Sequence, residues 1–242
     1  MNRGLRAQSW PFWGVFESYG GKWWDEKHRP TANTPEGIAA CDMYATQLRD
    51  YGPPDTLQVN WYECATHLQR GDTAMCYDAT GWFPVLEDPK KTEFAGKFGY
   101  ARFPAGPVAS KPCVWNWCLG INSTTDRPNA SWLFVQWATS KVVNLATTRL
   151  GAPGARISVW EDPEVLKFFD QTIFHGEPYS DAVLFTMKNG IVLPILRGGW
   201  DMYDNVSMSY QSVITREKTA KEAMDTLNNQ LTALFKKMGY IK

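Results

Sequence analysis

The sequence is poor in the residues that usually carry catalysis. Its three histidines, His28, His67 and His175, are scattered through 242 residues, and Cys64-x-x-His67 has no second Cys or His pair to complete a zinc set. No Gly-x-Ser-x-Gly turn is present to activate a serine, and there is neither a Gly-x-Gly-x-x-Gly run nor a phosphate-loop lysine. These absences argue against a metal centre, a serine hydrolase and the usual nucleotide cofactors, so no catalytic residue, metal or cofactor is expected. Charge of one sign is also missing. The 25 basic residues balance 25 acidic ones without a long run of either, which removes the electrostatic footprint that nucleic acid or an anionic membrane would need. No apolar stretch is long enough to span a bilayer, Met1 to Arg6 lack the apolar core of a secretion signal, and no repeat is present.

What the chain has in surplus is aromatic surface. Aromatic residues make up 14% of it and include 12 tryptophans, several of them beside Gly and Pro in loops. Such residues suit stacking on sugar-like or other flat, weakly polar ligands. The length allows one large or two small domains. Five cysteines, Cys41, Cys64, Cys76, Cys113 and Cys118, leave at least one unpaired in a monomer. If Cys113 and Cys118 share a strand they stand too far apart to bridge. Glu63, Asp78, Glu87 and Asp201 can be nominated as a glycosidase-type carboxylate pair, although a chain of this size always offers such pairs.

Read in order, the chain alternates helix and strand signals, the pattern of an α/β domain. Trp10, Trp13, Phe16 and Tyr19 recur at three-residue steps and predict the core face of a helix broken or entered at Pro11. Lys22 to Glu26 with Pro30 reads as a surface loop. Thr34-Pro35 starts a helix that Gly52-Pro53-Pro54 stops. A second helix, about Asn60 to Arg70, leads into Gly71 to Trp82, which reads as a buried strand from Thr73 to Tyr77, a small-residue turn and an exposed tryptophan. In open α/β sheets ligands sit beyond the carboxyl ends of the strands. Trp82 is therefore a ligand candidate, with packing on its own loop as the alternative. Strands are predicted at Phe98 to Phe103, at Val114 to Ile121 and from Ile191, with Trp115 and Trp117 side by side on one face. Helices are predicted over Ala130 to Thr139, from Ser140 to Leu150, from Asp162-Pro163, near Ser180 to Met187, over Asp201 to Thr215 and over Thr219 to Met238.

Several of these segments together resemble a known family. They are Ser18 to Trp23, Thr34 to Gly37, Gly52-Pro53, Gly71 to Met75 followed by Gly81-Trp82, Gly96 to Tyr100 with Pro104 to Pro107, Trp115 to Asn122, Ala130 to Lys141, and Lys221 to Met224 near Gly239-Tyr240. In this order they are similar to the solute-binding proteins of bacterial ABC transporters for sugars and polyols, the family that includes the maltose-binding protein. The resemblance implies an α/β, periplasmic-binding-protein-like fold of type II, of which this chain is a C-terminal portion with much of the second lobe plus first-lobe helices. Residues 1–112 would be part of the second lobe, 113–190 the interlobe crossing strand and first-lobe helices, and 191–242 the return to the second lobe. The missing sheet strands would leave apolar surface uncovered.

Carried over position by position, the resemblance makes Trp82 a sugar-stacking aromatic, Trp115 and Trp117 part of the cleft floor, and Tyr203, with Trp200 second, the aromatic that closes on the ligand. Arg197 and Arg156 stand where polar ligand contacts fit, and Arg156 equally suits a surface salt bridge. The implied protein is not an enzyme. It binds a sugar or polyol, delivers it to ABC permease subunits by closure of two lobes, is monomeric at full length, and is periplasmic or extracellular, lipid-anchored or soluble. The alternative is a carbohydrate-active enzyme or a stand-alone carbohydrate-binding module using the same aromatics.

Overall fold

The computed structural model describes the backbone of residues 4–172, 175–176 and 178–242, and the side chains of 9–170 and 178–242. The chain forms two compact units, described separately. Unit 1 comprises Met1–Asp78, Phe103–Cys113 and Asn189–Lys242, and unit 2 comprises Ala79–Arg102 and Val114–Lys188. Residues 79–102 thus group with the segment that follows position 113.

Unit 1 is helical. It contains α1 (Gly4–Ser18), α2 (Pro35–Tyr51), α3 (Trp61–Arg70), α10 (Gly199–Ile214) and α11 (Ala220–Met238). Local chemistry sets their ends. Thr34 accepts a hydrogen bond from the Gly37 amide at the start of α2, Asn60 and Glu63 close a capping box on α3, and Thr219 and Glu222 do the same on α11. Gly239 takes the left-handed conformation, φ 81°, that ends α11. Helix α1 runs unbroken through Pro11, where a break or entry was expected, although the ring removes an N–H from the helix ladder.

The core of unit 1 gathers Phe12, Trp13 and Phe16 of α1, Tyr44 of α2, Met202, Val206 and Tyr210 of α10, and Leu227 and Leu231 of α11. Trp23, read as a loop residue, is buried there instead, stacked on Phe16 at 3.9 Å and on Trp13 at 4.2 Å. The hairpin-like loop around it is held to α11 by the Ala32 amide, which donates to Asn228 Oδ1 at 2.9 Å. Segment 103–113 lies so close to α1 that a Cβ on Gly14 would meet the Lys111 carbonyl oxygen at 2.6 Å.

Unit 2 contains α4 (Phe83–Leu86), α5 (Pro128–Ala138), α6 (Lys141–Arg149), α7 (Ile157–Trp160), α8 (Pro163–Thr172) and α9 (Tyr179–Asn189). Ser140 caps α6 by accepting from the Val143 amide. Phe83, Val159, Trp160, Val165, Phe169, Tyr179 and Val183 form its core. The Tyr179 hydroxyl donates to the Thr80 carbonyl at 2.6 Å, and Trp160 Nε1 donates to that of Gly154 at 2.7 Å. Helix α5 is apolar almost all round and has no buried residue. Trp132, Leu133, Phe134 and Trp137 are all exposed, as the expectation of uncovered apolar surface has it.

The strands depart most from expectation. Among the described residues they are two-residue pieces: β1 (Gly99–Tyr100) pairs in parallel with β3 (His175–Gly176), and β4 (Ile191–Val192) has its Ile191 amide donating to the Pro112 carbonyl at 2.8 Å, beside β2 (Cys113–Val114). The predicted strands at 73–77 and 115–121 do not form. An extended segment becomes a strand only by laddering with another, and here these segments are irregular, with a bend at Ala74. Met75 stands 87% exposed, against the buried strand expected of it.

Candidate ligand-binding surfaces

In unit 1, α10 presents Trp200 and Tyr203 one turn apart, with ring centroids 5.8 Å apart at 80°. Trp200 is half exposed and Tyr203 is buried. The Tyr203 hydroxyl donates to the Pro194 carbonyl at 2.8 Å, and its ring meets Trp13 edge-on at 5.7 Å. In this form Tyr203 is a positioned wall residue whose hydroxyl is already engaged. The Arg197 side chain is exposed, and its backbone amide donates to the Tyr240 hydroxyl at 2.8 Å, which fixes the turn into α10.

Next to this wall lies a cavity of about 240 Å³ lined by Trp13, Glu17, Lys22, Trp23, Trp24 and Pro194, among others. Trp13 Nε1 donates to Glu17 Oε1 at 3.2 Å. Burial raises the Glu17 carboxyl above its ordinary value, against the opposing pull of the Trp13 hydrogen bond and the Lys111 charge. Sequence reading missed Glu17 because a single carboxylate on an aromatic helix face carries no spacing signal. Trp24, Glu17 and Lys22 line it together, while Trp13 and Trp23 are almost wholly buried.

In unit 2, Trp115 and Trp117 do meet, edge to face at 6.3 Å and 88°. They are 39% and 90% exposed, so both keep ring surface open to a ligand although the strand expected to carry them is absent. Trp82 corrects its expectation. It lies in a single 3-10 turn, Thr80–Trp82, and is only 5% exposed, because the chain folds straight into α4 instead of projecting the ring from a strand end. Arg156 directs Nε to the Thr139 carbonyl at 2.8 Å, at the carboxyl end of α5.

Two of the nominated carboxylates are engaged in structure. Glu63 caps α3, and Glu87 accepts from the Tyr100 hydroxyl at 2.7 Å and the Gly96 amide at 2.6 Å. Among the described residues no group of three or more His, Cys, Asp or Glu side chains is placed to hold a metal, and the His175 side chain lies outside them. No described helix is long and apolar enough to cross a membrane.

Comparison with known proteins decides the family: the model for bacterial extracellular solute-binding proteins matches residues 2–144. The chain belongs to this family. Among its relatives, a probable amino-acid ABC transporter periplasmic-binding protein of Sinorhizobium fredii is 24% identical over 229 residues, 94% of this chain and 50% of the relative. A mannitol-binding protein of Pseudomonas aeruginosa is 28% identical over 246 residues, 93% of this chain and 54% of the relative. The solved structure of maltose-bound MalE3 of T. maritima superposes with a TM-score of 0.81 at 19% identity, over 93% of this chain and 57% of that one. The fold is thus that of the type II periplasmic binding proteins. The chain spans about half the length of the curated relatives it matches.

Proposed function

We propose that this chain forms part of the solute-binding component of an ABC importer, takes a sugar or polyol, and hands it to membrane permease subunits after two lobes close over it. Its place of work is the periplasm or the extracellular face. The observation that carries the reading is the exposed Trp115–Trp117 pair in a chain of this family. Two adjacent indoles, one of them 90% exposed, leave ring faces open to a flat, weakly polar ligand. Indole faces pack on the C–H faces of sugars and polyols, whose hydroxyls then need polar partners. An amino-acid solute, which the name of the Sinorhizobium relative would suggest, instead calls for a paired cation and anion.

Titration of the intrinsic tryptophan fluorescence with mannitol, ribitol, maltose and glutamate tests this. The expected result is a saturable change with a polyol or sugar, no change with glutamate and no turnover of the ligand. A response to glutamate alone, hydrolysis of a glycoside, or no response to any solute from the full-length protein would overturn it.

A further inference from the structure

Asn189-Gly190 is the one Asn-Gly pair in the chain. Asn189 closes α9 and is exposed to solvent, Gly190 lies outside the helix, and Ile191 opens β4. The chain also passes between its two units here, since Lys188 is the last residue of unit 2 and Asn189 the first of the segment that returns to unit 1. We propose that Asn189 is a site of spontaneous deamidation, in which water replaces the side-chain amide and leaves aspartate or isoaspartate at this crossing.

The neighbour and the place in the helix carry it together. Glycine has no Cβ beside its amide nitrogen, so the Gly190 nitrogen has an unobstructed approach to the side-chain carbonyl carbon of Asn189, and exposure admits the water. Other asparagines lack the combination. Asn122 is exposed but precedes Ser123, whose Cβ crowds the nitrogen, and Asn60 and Asn116 precede tryptophans. Asn144, Asn205 and Asn228 lie inside α6, α10 and α11, where the ladder of amide hydrogen bonds fixes the following nitrogen along the helix axis.

The reaction needs no partner but water. The Gly190 nitrogen attacks Asn189 Cγ, the N–Cγ bond forms, the Cγ–Nδ2 bond breaks, and ammonia leaves with the Gly190 amide proton. Water then opens the five-membered imide. Attack at Cγ gives aspartate, and attack at the main-chain carbonyl carbon gives isoaspartate, whose backbone runs through the former side chain. One water is consumed and one ammonia released. Either product sets a carboxylate at the C-terminal end of α9, where the helix dipole disfavours it, and the adjacent Lys188 is already paired with Glu161 at 2.7 Å. Isoaspartate also adds a methylene carbon to the main chain two residues before Ile191, whose amide donates to the Pro112 carbonyl at 2.8 Å within unit 1.

The test is to hold the whole chain in mildly alkaline buffer, draw samples over days, and digest each with the protease that cuts before aspartate. Residue 189 then falls in peptide Asp181–Trp200. Mass spectrometry is expected to find a growing fraction of this peptide carrying a carboxyl in place of the amide. The aspartate form is cut again before residue 189, whereas the isoaspartate form resists the protease and accepts a methyl group from isoaspartyl methyltransferase. Gly190 does not take a left-handed conformation, so the backbone accommodates alanine there, and Gly190→Ala should lose the amide severalfold more slowly. A peptide that keeps its amide throughout, faster loss at Asn122 than at Asn189, or a Gly190→Ala chain that ages at the parent rate would overturn the assignment.

Discussion

Replacing Trp82 and Trp117 in turn by alanine separates a packing tryptophan from a binding one. A tryptophan side chain carries about 200 Å² of surface, worth about 5 kcal/mol at ~25 cal/mol per Å² when fully withdrawn from water. Trp82, at 5% exposure, has withdrawn nearly all of it, so Trp82→Ala should cost roughly 3–5 kcal/mol, in line with other buried tryptophan truncations. Trp117, at 90% exposure, has withdrawn about a tenth, so Trp117→Ala should cost no more than about 0.5 kcal/mol. If Trp117 stacks on the solute, losing one ring face removes about 1–1.4 kcal/mol of binding, a roughly tenfold rise in Kd. Urea unfolding followed by far-UV circular dichroism reads the first quantity, and calorimetric titration with the best polyol reads the second. The reasoning fails if Trp82→Ala unfolds at the wild-type midpoint, or if Trp117→Ala binds the polyol as tightly as the parent protein.

Three further outcomes follow from the geometry. Leu231→Ala, at a fully buried position on α11, should lower unfolding free energy by about 2–5 kcal/mol and shift the urea midpoint accordingly. Burial raises the Glu17 carboxyl above 4.5, so the native state holds a proton that the unfolded chain releases, and stability should fall as pH rises through the window that opens near 4.5. Glu17→Gln, whose amide oxygen still accepts from Trp13, should flatten that dependence in urea midpoints taken across pH, and identical profiles would refute the assignment. Asp25 is the opposite case. Hydrogen bonds from Arg29 bring it from 3.8 down to about 2, so its contribution is complete above pH ~4 and lost on acidification between the two values, a limb that Asp25→Asn should remove from the acid unfolding curve.

The helices were legible because their signals are local. Thr34, Asn60 with Glu63, Ser140, and Thr219 with Glu222 each satisfy amides within three or four residues along the chain, and Gly239 stops α11 by its own backbone freedom. Trp13 and Phe16 fell on the predicted core face for the same reason, since a three-residue step is a property of the helix itself. The strands were not legible, because a ladder is a relation between two segments. Thr73 to Tyr77 and Trp115 to Ile121 carry strand-like sequence without a laddering neighbour among the described residues.

The candidate site divided along the same line. The adjacency of Trp115 and Trp117 survived without a strand, since their rings still meet at 6.3 Å. The burial of Trp82, the insertion of Trp23 between Trp13 and Phe16, and the commitment of Arg156 to the Thr139 carbonyl all depend on residues distant in sequence or on how tightly a turn closes. No spacing rule reports them. Glu17 illustrates the limit from the other side, since its carboxylate becomes distinctive only through the indoles packed around it.

Gly14 sets a constraint of another kind. Every single-base change in a glycine codon that alters the residue adds at least a Cβ, and here that carbon would overlap the Lys111 carbonyl oxygen. An altered residue is accommodated only if segment 103–113 retreats from α1, and that segment leads directly into Cys113 and the Trp115–Trp117 pair. One hydrogen atom on a helix thus limits how far the gene can drift without displacing the tryptophans two and four residues beyond the segment's end.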